Sequence, residues 1–264
     1  MNRIAVGIEY DGSGFAGWQS QPTVRTVQQV LESALGAVAA EPVSLVAAGR
    51  TDAGVHARAQ VAHFDTHAER SPRGWILGAN TEAPPDVALS WVQPVPAHFH
   101  ARYSATARVY RYLILNRTAR SALYAARAAW VTRTLDARAM AEAAELLVGE
   151  HDFSAFRSSE CQAKSPVRRL TRLAVERRGD WIVIEAVANA FLHHMVRNLA
   201  GLLIAVGKGD ERPGWARTVL EGRDRTRAAA TAPAAGLCLW EVLYPAAFGL
   251  PARLPAGPQG PDQL

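Results

Sequence analysis

Apolar residues at every second position are the feature that most limits how this chain can fold. The clearest case is residues 109–115, where Tyr110, Tyr112 and Ile114 share one face of a strand and the residues between them share the other. The same alternation, or a short apolar run bounded by turn residues, predicts further strands. We expect these strands at residues 3–10, 43–48, 60–64, 87–92, 99–103, 169–177, 181–187 and 237–244.

Segments of helical periodicity interrupt the strands. Thr26 and Gln29 have the spacing of a capping box and open a helix with an apolar face. Residues 191–206 place apolar side chains at three-and-four spacing and predict a second long helix. Further helices are expected at residues 72–77, 135–148 and 215–221. Helices interleaved with hairpin-like strands predict an α+β fold with a mainly antiparallel sheet, and the strands around a long helix in each half suggest two similar halves.

The 264 residues carry a net charge of +5, and nearly all of the positive charge comes from arginine. Arginine clusters near residues 102–117 and 168–178 suit a polyanionic partner, although a solvated charged face would look the same. Two widely separated cysteines argue against a disulfide framework or a cysteine metal site. The chain shows neither a signal-peptide pattern nor an apolar run of membrane-spanning length, so we expect a cytoplasmic protein without membrane contact.

The strongest candidate for chemistry is the loop of residues 49–56, which reads Gly-Arg-Thr-Asp-Ala-Gly-Val-His between two predicted strands. Its Asp52 follows Arg50 by two residues, and a carboxylate beside a guanidinium keeps the negative charge that a nucleophile needs. The alternative is an Asx-turn, in which Asp52 only binds its own backbone. A second Gly-rich loop, residues 11–22, lacks the Gly-Lys-Ser/Thr of a phosphate-binding loop.

His193 and His194 invite comparison with a metal site. Neighbouring positions on a helix diverge, so we expect no metal there. Arg197 is four residues after His193 and would share its helical face, next to the apolar stripe. A partly buried arginine needs an anion, which could be Glu185, a helix terminus or Asp52. His56, His63 and Asp65 are interpreted as hydrogen-bonding residues rather than as a base or ligand set.

Several motifs together resemble the tRNA pseudouridine synthase A family. They occur in the order expected for that family and span about residues 3–245. They are Tyr10-Asp11-Gly12, Gly17-Trp18-Gln19, the loop of residues 49–56, Phe99-His100-Ala101-Arg102, Arg111-Tyr112, Asp152-Phe153, residues 191–198 and Gly236-Leu237-Cys238-Leu239.

The resemblance implies an isomerase without metal or cofactor that acts on uridines thirty-eight to forty in the anticodon stem-loop of tRNA. By position, Asp52 would be the nucleophile and Arg50 would help to flip the uridine out. Tyr110 would lie over the uracil ring, Arg197 would pair with Asp52, and Leu239 would line the pocket.

The resemblance also implies the organisation of the protein. It predicts a homodimer that binds tRNA and not DNA, with the two halves of each chain forming one extended sheet and a basic cleft between them. The halves are expected at residues 1–104, which carry the Asp52 loop, and 105–245. The Pro- and Gly-rich residues 246–264 are expected to form a flexible tail.

Three routes remain open for the chemistry, since Asp52 could attack C1′, abstract a neighbouring ribose proton or attack C6 of the pyrimidine. Tyr110 could stack on the base or remove the C5 proton. Two other functions also fit parts of the sequence. One is a basic RNA-binding module without activity. The other is a glycoside hydrolase, which would need a second acid, for which Asp65 is the nearest candidate.

Overall fold

The computed structural model describes residues 1–251 and contains ten strands and five α-helices within them. The strands are β1 (Asn2–Tyr10), β2 (Val46–Ala47), β3 (His56–Thr66), β4 (Val87–Pro94), β5 (Ala107–Asn116), β6 (Ala129–Val131), β7 (Gly149–Asp152), β8 (Val167–Arg178), β9 (Trp181–Ala188) and β10 (Leu237–Leu243). The helices are α1 (Val27–Ala39), α2 (Pro72–Glu82), α3 (Ala137–Glu145), α4 (Met195–Gly207) and α5 (Trp215–Gly222). None of these helices combines the length and apolar character needed to cross a membrane.

The chain divides into two compact units. Among the described residues, the first contains Met1–Thr106 together with residues 238–251, and the second contains Ala107–Leu237. The expected halves, residues 1–104 and 105–245, stay a prediction, and the last strand of the described chain belongs to the first of these two units. β10 runs parallel to β3, with Cys238 opposite His56 and Leu239 opposite Ala57, and this pairing places it in the first unit.

In the first unit, β1 lies between β3 and β4 and is antiparallel to both, while β2 and β10 also pair with β3. Helix α2 packs against β4 and against α1. The Trp75 ring of α2 meets the Phe64 ring of β3 edge to face at 5.4 Å, and both side chains are fully buried. Burial of such aromatic side chains contributes a large share of the stability of a core.

In the second unit, the strand order is β5-β9-β8-β7, all antiparallel, and the short β6 runs parallel to the end of β5. Helix α3 packs against β8 and α4. Eleven of the thirteen residues of α4 are buried, which makes it the central helix of this unit. Within the two units, the described pairings are parallel only at β3–β10 and β5–β6, so the predicted α+β fold with a mainly antiparallel sheet is confirmed.

Residues 99–103 and the start of α4 differ from the local predictions. Residues 99–103 form turns rather than a strand, because Phe99 N–H donates to Pro96 O at 2.9 Å and Ser104 N–H donates to His100 O at 2.8 Å. Helix α4 begins at Met195 rather than near residue 191, because His194 has a left-handed backbone with a φ of +62°. His193 and Arg197 therefore do not share a helical face.

The beginning of the predicted flexible tail is folded. Ala246–Phe248 form a short 3-10 helix, and the Phe248 ring packs edge to face on the buried Phe99 ring at 5.1 Å. The aromatic contact explains why this Pro-flanked segment takes a fixed position. Residues 252–264 of the predicted tail lie outside the described part of the chain.

Candidate active site

Asp52 lies in the loop between β2 and β3 and is partly buried. Val55 N–H donates to Asp52 O at 3.1 Å and closes a turn, and Gly54 takes the positive φ of +76° that this turn requires. At the start of the loop, the side chain of Gln60 donates to Gly49 O at 2.7 Å. The backbone on both sides of Asp52 is therefore held by hydrogen bonds.

The Gly-rich loop that follows β1 forms a support for the Asp52 loop. Trp18 N–H donates to Thr51 O at 3.0 Å, and Gly54 N–H donates to Phe15 O at 3.3 Å. The hydroxyls of Tyr10 and Thr51 lie 2.7 Å apart, and both residues are buried. These three contacts fix the residues before and after Asp52 to a segment that is more than thirty residues earlier in the sequence.

Two glycines allow this close approach. A Cβ on Gly12 would lie only 1.9 Å from the backbone O of Val55. Gly17 has a φ of +93°, and a Cβ there would lie 2.7 Å from Thr51 O. Sequence reasoning excluded a phosphate-binding function for this loop but missed its supporting function. The sequence signal that could have indicated this function is the close spacing of glycines and aromatic residues in the loop, beside a motif of the family.

The histidines near the loop act as hydrogen-bonding residues, as expected. The Nδ1 atom of the buried His56 lies 3.0 Å from Gly12 N and 3.2 Å from an Asp11 carboxylate oxygen, so His56 joins the two loops. Ala101 N–H donates to His63 Nδ1 at 3.2 Å. Burial, with smaller effects from Arg3 and His100, lowers the pKa of His63 to about 4, so its ring is neutral at pH 7.

Asp65 does not have the environment of a proton donor. Its carboxylate accepts two hydrogen bonds from the Arg3 guanidinium, at 2.8 and 2.7 Å. These bonds lower the pKa of Asp65 and keep it ionised at neutral pH. The glycoside hydrolase alternative therefore loses the second acid that it required.

Two other predicted site residues lie in the same unit as Asp52. Arg50 is exposed, as a residue that reaches out to a macromolecular substrate would be. Leu239 on β10 is fully buried and lies opposite Ala57, just beyond the Asp52 loop. The Arg58 guanidinium lies 4.6 Å from the centre of the Trp240 ring, in a cation–π arrangement.

Tyr110 and Arg197 lie in the second unit. Tyr110 on β5 is largely buried, and its ring meets the Phe191 ring edge to face at 5.1 Å. Arg197, in the first turn of α4, donates from Nε to Ala232 O at 2.9 Å, and Ala232 N–H donates back to Arg197 O at 3.1 Å. Arg197 is thus fixed to the segment that leads into β10.

One alternative partner for Arg197 and one expectation about the neighbouring histidines need correction. Glu185 pairs with Arg111 at 2.9 Å and Arg172 at 3.2 Å instead of with Arg197. The rings of His193 and His194 lie 4.1 Å apart rather than pointing away from each other, because neither residue is in the helix. The expected absence of a metal therefore lacks the reason given for it and stays a prediction.

Comparison with known proteins identifies the family. The sequence profile of the family described as tRNA pseudouridine synthase matches residues 7–104 and 143–245. A tRNA pseudouridine synthase A of Nitrosococcus oceani is 58% identical over 249 residues, which cover 94% of this chain and 96% of the relative. Its counterpart in Alcanivorax borkumensis is 54% identical over 266 residues, covering 100% of this chain and 99% of the relative. The chain belongs to the tRNA pseudouridine synthase family, whose members isomerise uridine to pseudouridine.

Proposed function

We propose that this protein modifies uridines thirty-eight, thirty-nine and forty in the anticodon stem-loop of tRNA, with Asp52 as the nucleophile and without a metal or cofactor. The observation that carries this proposal is the fixed backbone around Asp52. Hydrogen bonds hold the residues on both sides of it, while the side chain itself is only partly buried. A reacting group held in one position by a rigid support is a general feature of efficient catalysis.

The reaction requires that the uracil ring leave C1′ through N1, rotate and reattach through C5, after which the C5 proton is lost. The nucleotide must first leave the base stack, at a cost of a few kcal/mol that is smaller where pairing is weak. Arg50 is exposed and lies two residues before Asp52, and in this proposal it assists the extrusion. Asp52 then promotes release of the ring, by attack at C1′ or C6 or by removal of a ribose proton.

In this proposal, residues of the second unit complete the site. Tyr110 stacks on the uracil ring, and its packing against Phe191 supports one orientation of its own ring. Arg197 pairs with Asp52 and keeps it ionised, and its bond to Ala232 O supports a fixed guanidinium. Leu239 lines the pocket as an apolar wall. A homodimer in the cytoplasm, with tRNA bound across both subunits, is part of the same proposal.

Substitution of the nucleophile tests the proposal. Asp52→Asn is expected to abolish release of tritium from tRNA labelled at uridine C5, while the Kd for tRNA stays within about threefold of wild type because only one polar group changes. Asp210→Asn is the matched control, since Asp210 is a half-exposed aspartate that pairs with Arg133 in the other unit. This control is expected to keep full activity.

The positions are tested separately by carbodiimide primer extension on total tRNA, from cells with and without the protein. Loss of modification at positions thirty-eight to forty in the deletion strain supports the proposed substrate. Full tritium release by Asp52→Asn would reject Asp52 as the nucleophile. An unchanged modification map would reject the proposed positions. Strong tRNA binding by a wild-type protein that forms no pseudouridine would favour the RNA-binding module instead.

A further inference from the structure

The second unit contains a polar cavity of about 840 Å³ that no step of the proposed chemistry uses. Three segments form its walls. They are residues 154–159, the beginning of α4 with His194 and Asn198, and residues 223–231. His194 and Asn198 flank Arg197 within one turn of α4, so the cavity lies beside the proposed partner of Asp52.

The lining is cationic and rich in hydroxyl groups. Its charged side chains include Arg157, Arg223 and Arg225, against the single carboxylate of Asp224. The Asp224 carboxylate accepts hydrogen bonds from the N–H of Thr226 at 2.9 Å and from the hydroxyl of Thr226 at 2.7 Å. The hydroxyls in the lining belong to Ser154, Ser158, Ser159, Thr226 and Thr231. Arginine forks and hydroxyl donors are the groups that recognise phosphate.

The positive charge of two of these arginines is not neutralised by a carboxylate within the described chain. Arg157 donates to the backbone O of Cys161 at 2.6 Å. Arg225 donates to Ala229 O at 2.8 Å, and to the side-chain oxygens of Asn198 and Thr231 at 3.0 and 2.9 Å. All of these acceptors are neutral. Arg223, whose side chain is 66% exposed, has an Asp152 oxygen at 3.6 Å.

Asn198 holds the walls together. Its side chain donates to Phe156 O at 2.8 Å and accepts from Arg225 at 3.0 Å and from the Thr231 hydroxyl at 2.7 Å. It therefore connects all three segments. Ser158 N–H also donates to His193 O at 3.0 Å. Because Arg157 and Arg225 form hydrogen bonds within the protein, these two side chains are already ordered before a ligand binds, which reduces the entropy cost of binding.

We infer that this cavity binds a backbone phosphate of the tRNA strand next to the target nucleotide. The inference rests on the proposed function, since it takes the ligand to be the RNA that the enzyme modifies. Its role is to hold the strand on one side of the extruded nucleotide. Arg157, Arg223 and Arg225 supply the charge, and Asn198 sets the shape of the cavity.

The test uses Arg157→Gln and Arg223→Gln in the full chain, with Arg138→Gln as the matched control. Arg138 lies in the same unit, its side chain is 89% exposed, and it pairs with Glu142 outside the cavity. The Kd for tRNA is measured from low to moderate salt. Loss of one charge-assisted bond is expected to raise Kd about tenfold for each cavity variant. It is also expected to reduce the salt slope, which is the slope of log Kd against the logarithm of salt concentration, by roughly 0.7 to 0.9. The control Arg138→Gln is expected to change Kd less than twofold and to keep the kcat of wild type.

A chemical change in the RNA identifies the ligand. Neutral methylphosphonates are introduced one at a time into an anticodon stem-loop RNA, and binding is measured for wild type and Arg157→Gln. At one RNA position the methylphosphonate is expected to weaken binding by wild type about tenfold and binding by Arg157→Gln hardly at all. The variant has already lost the interaction that the methylphosphonate removes. Strictly additive losses at every position would overturn the inference. Competition by inorganic phosphate alone, without any position dependence in the RNA, would also overturn it.

The result is separable from that of the proposed function. If both cavity variants bind tRNA with the Kd and salt slope of Arg138→Gln, the phosphate site is rejected while Asp52 and the modified positions stand. If the cavity variants behave as expected but Asp52→Asn keeps its tritium release, the phosphate site stands and the proposed nucleophile is rejected.

Discussion

Replacement of Gly12 by alanine tests whether the loop after β1 sets the position of Asp52. The Cβ of the new residue would lie 1.9 Å from the backbone O of Val55, whereas Cβ contacts in proteins are essentially never below 3.0 Å. The two segments must therefore separate by at least 3.0 − 1.9 = 1.1 Å. The new Cβ is bonded directly to the backbone and the O of Val55 is part of the backbone, so neither atom can move by a side-chain rotation.

The displacement is transmitted to the carboxylate of Asp52, the proposed nucleophile. Val55 N–H donates to Asp52 O, so a shift of Val55 moves the turn that carries Asp52. A misplacement of about 1 Å at a reacting centre costs about 100-fold in rate. Overpacking of this kind costs about 1–3 kcal/mol of stability, which leaves a typical domain folded. We therefore expect Gly12→Ala to lower the single-turnover rate about 100-fold while the protein still folds and binds tRNA.

The assay is tritium release from C5-labelled tRNA with enzyme in excess, so that product release does not affect the rate. Gly14→Ala is the matched control in the same loop. Its Cβ would lie 3.2 Å from Nη1 of Arg25 and 3.4 Å from a carboxylate oxygen of Asp86, which are the ends of side chains that can move. A folded Gly12→Ala protein with the rate of wild type would refute the claim that this loop positions Asp52.

Two further predictions concern histidines. The pKa of His63 in the folded state is about 4, below the ordinary 6.5, so between these values the folded state binds fewer protons than the unfolded state. The contribution of His63 to the free energy of unfolding is therefore fully present above pH 6.5 and is lost as the pH falls towards 4. We expect urea unfolding to show a loss of up to about 2 kcal/mol between pH 7 and 5, and His63→Gln to remove that part of the pH dependence. His56→Phe removes the acceptor for Gly12 N–H and is expected to lower the single-turnover rate about tenfold. His56→Asn, whose Oδ1 can occupy the place of Nδ1, should restore most of the rate, and equal rates for the two variants would contradict this role.

The elements that the sequence predicted well are those determined by local pattern. The hairpin of β8 and β9 and the helix α5 were predicted to within a few residues, because alternation or helical spacing continues through each of them. The family motifs likewise mark Asp52 as a candidate from local sequence, and its role stays a prediction. In these cases the information lies within a window of about ten to twenty residues.

The features that were missed depend on residues far apart in the sequence. Residues 99–103 have the composition of a strand, but Phe99 packs against Tyr244 and Phe248, and the backbone turns to allow it. Helix α4 begins late because His194 takes a left-handed backbone, which a helical pattern of apolar residues does not reveal. The same limit applies to Asn198, which belongs to the motif of residues 191–198 but whose bonds to distant segments around the cavity do not follow from that motif.

The support of the Asp52 loop explains why motifs of this family occur so far along the chain from Asp52, the proposed nucleophile. Tyr10, Gly12 and Trp18 contribute a hydroxyl, a position without a side chain and a backbone donor, each of which meets a residue close to Asp52. Gly12 and Gly17 differ from Gly14 in the same loop. A Cβ on either of them would contact backbone atoms, whereas a Cβ on Gly14 would contact the ends of side chains. Substitutions in this loop should therefore sort by what the new Cβ would contact, and not by distance along the chain from Asp52.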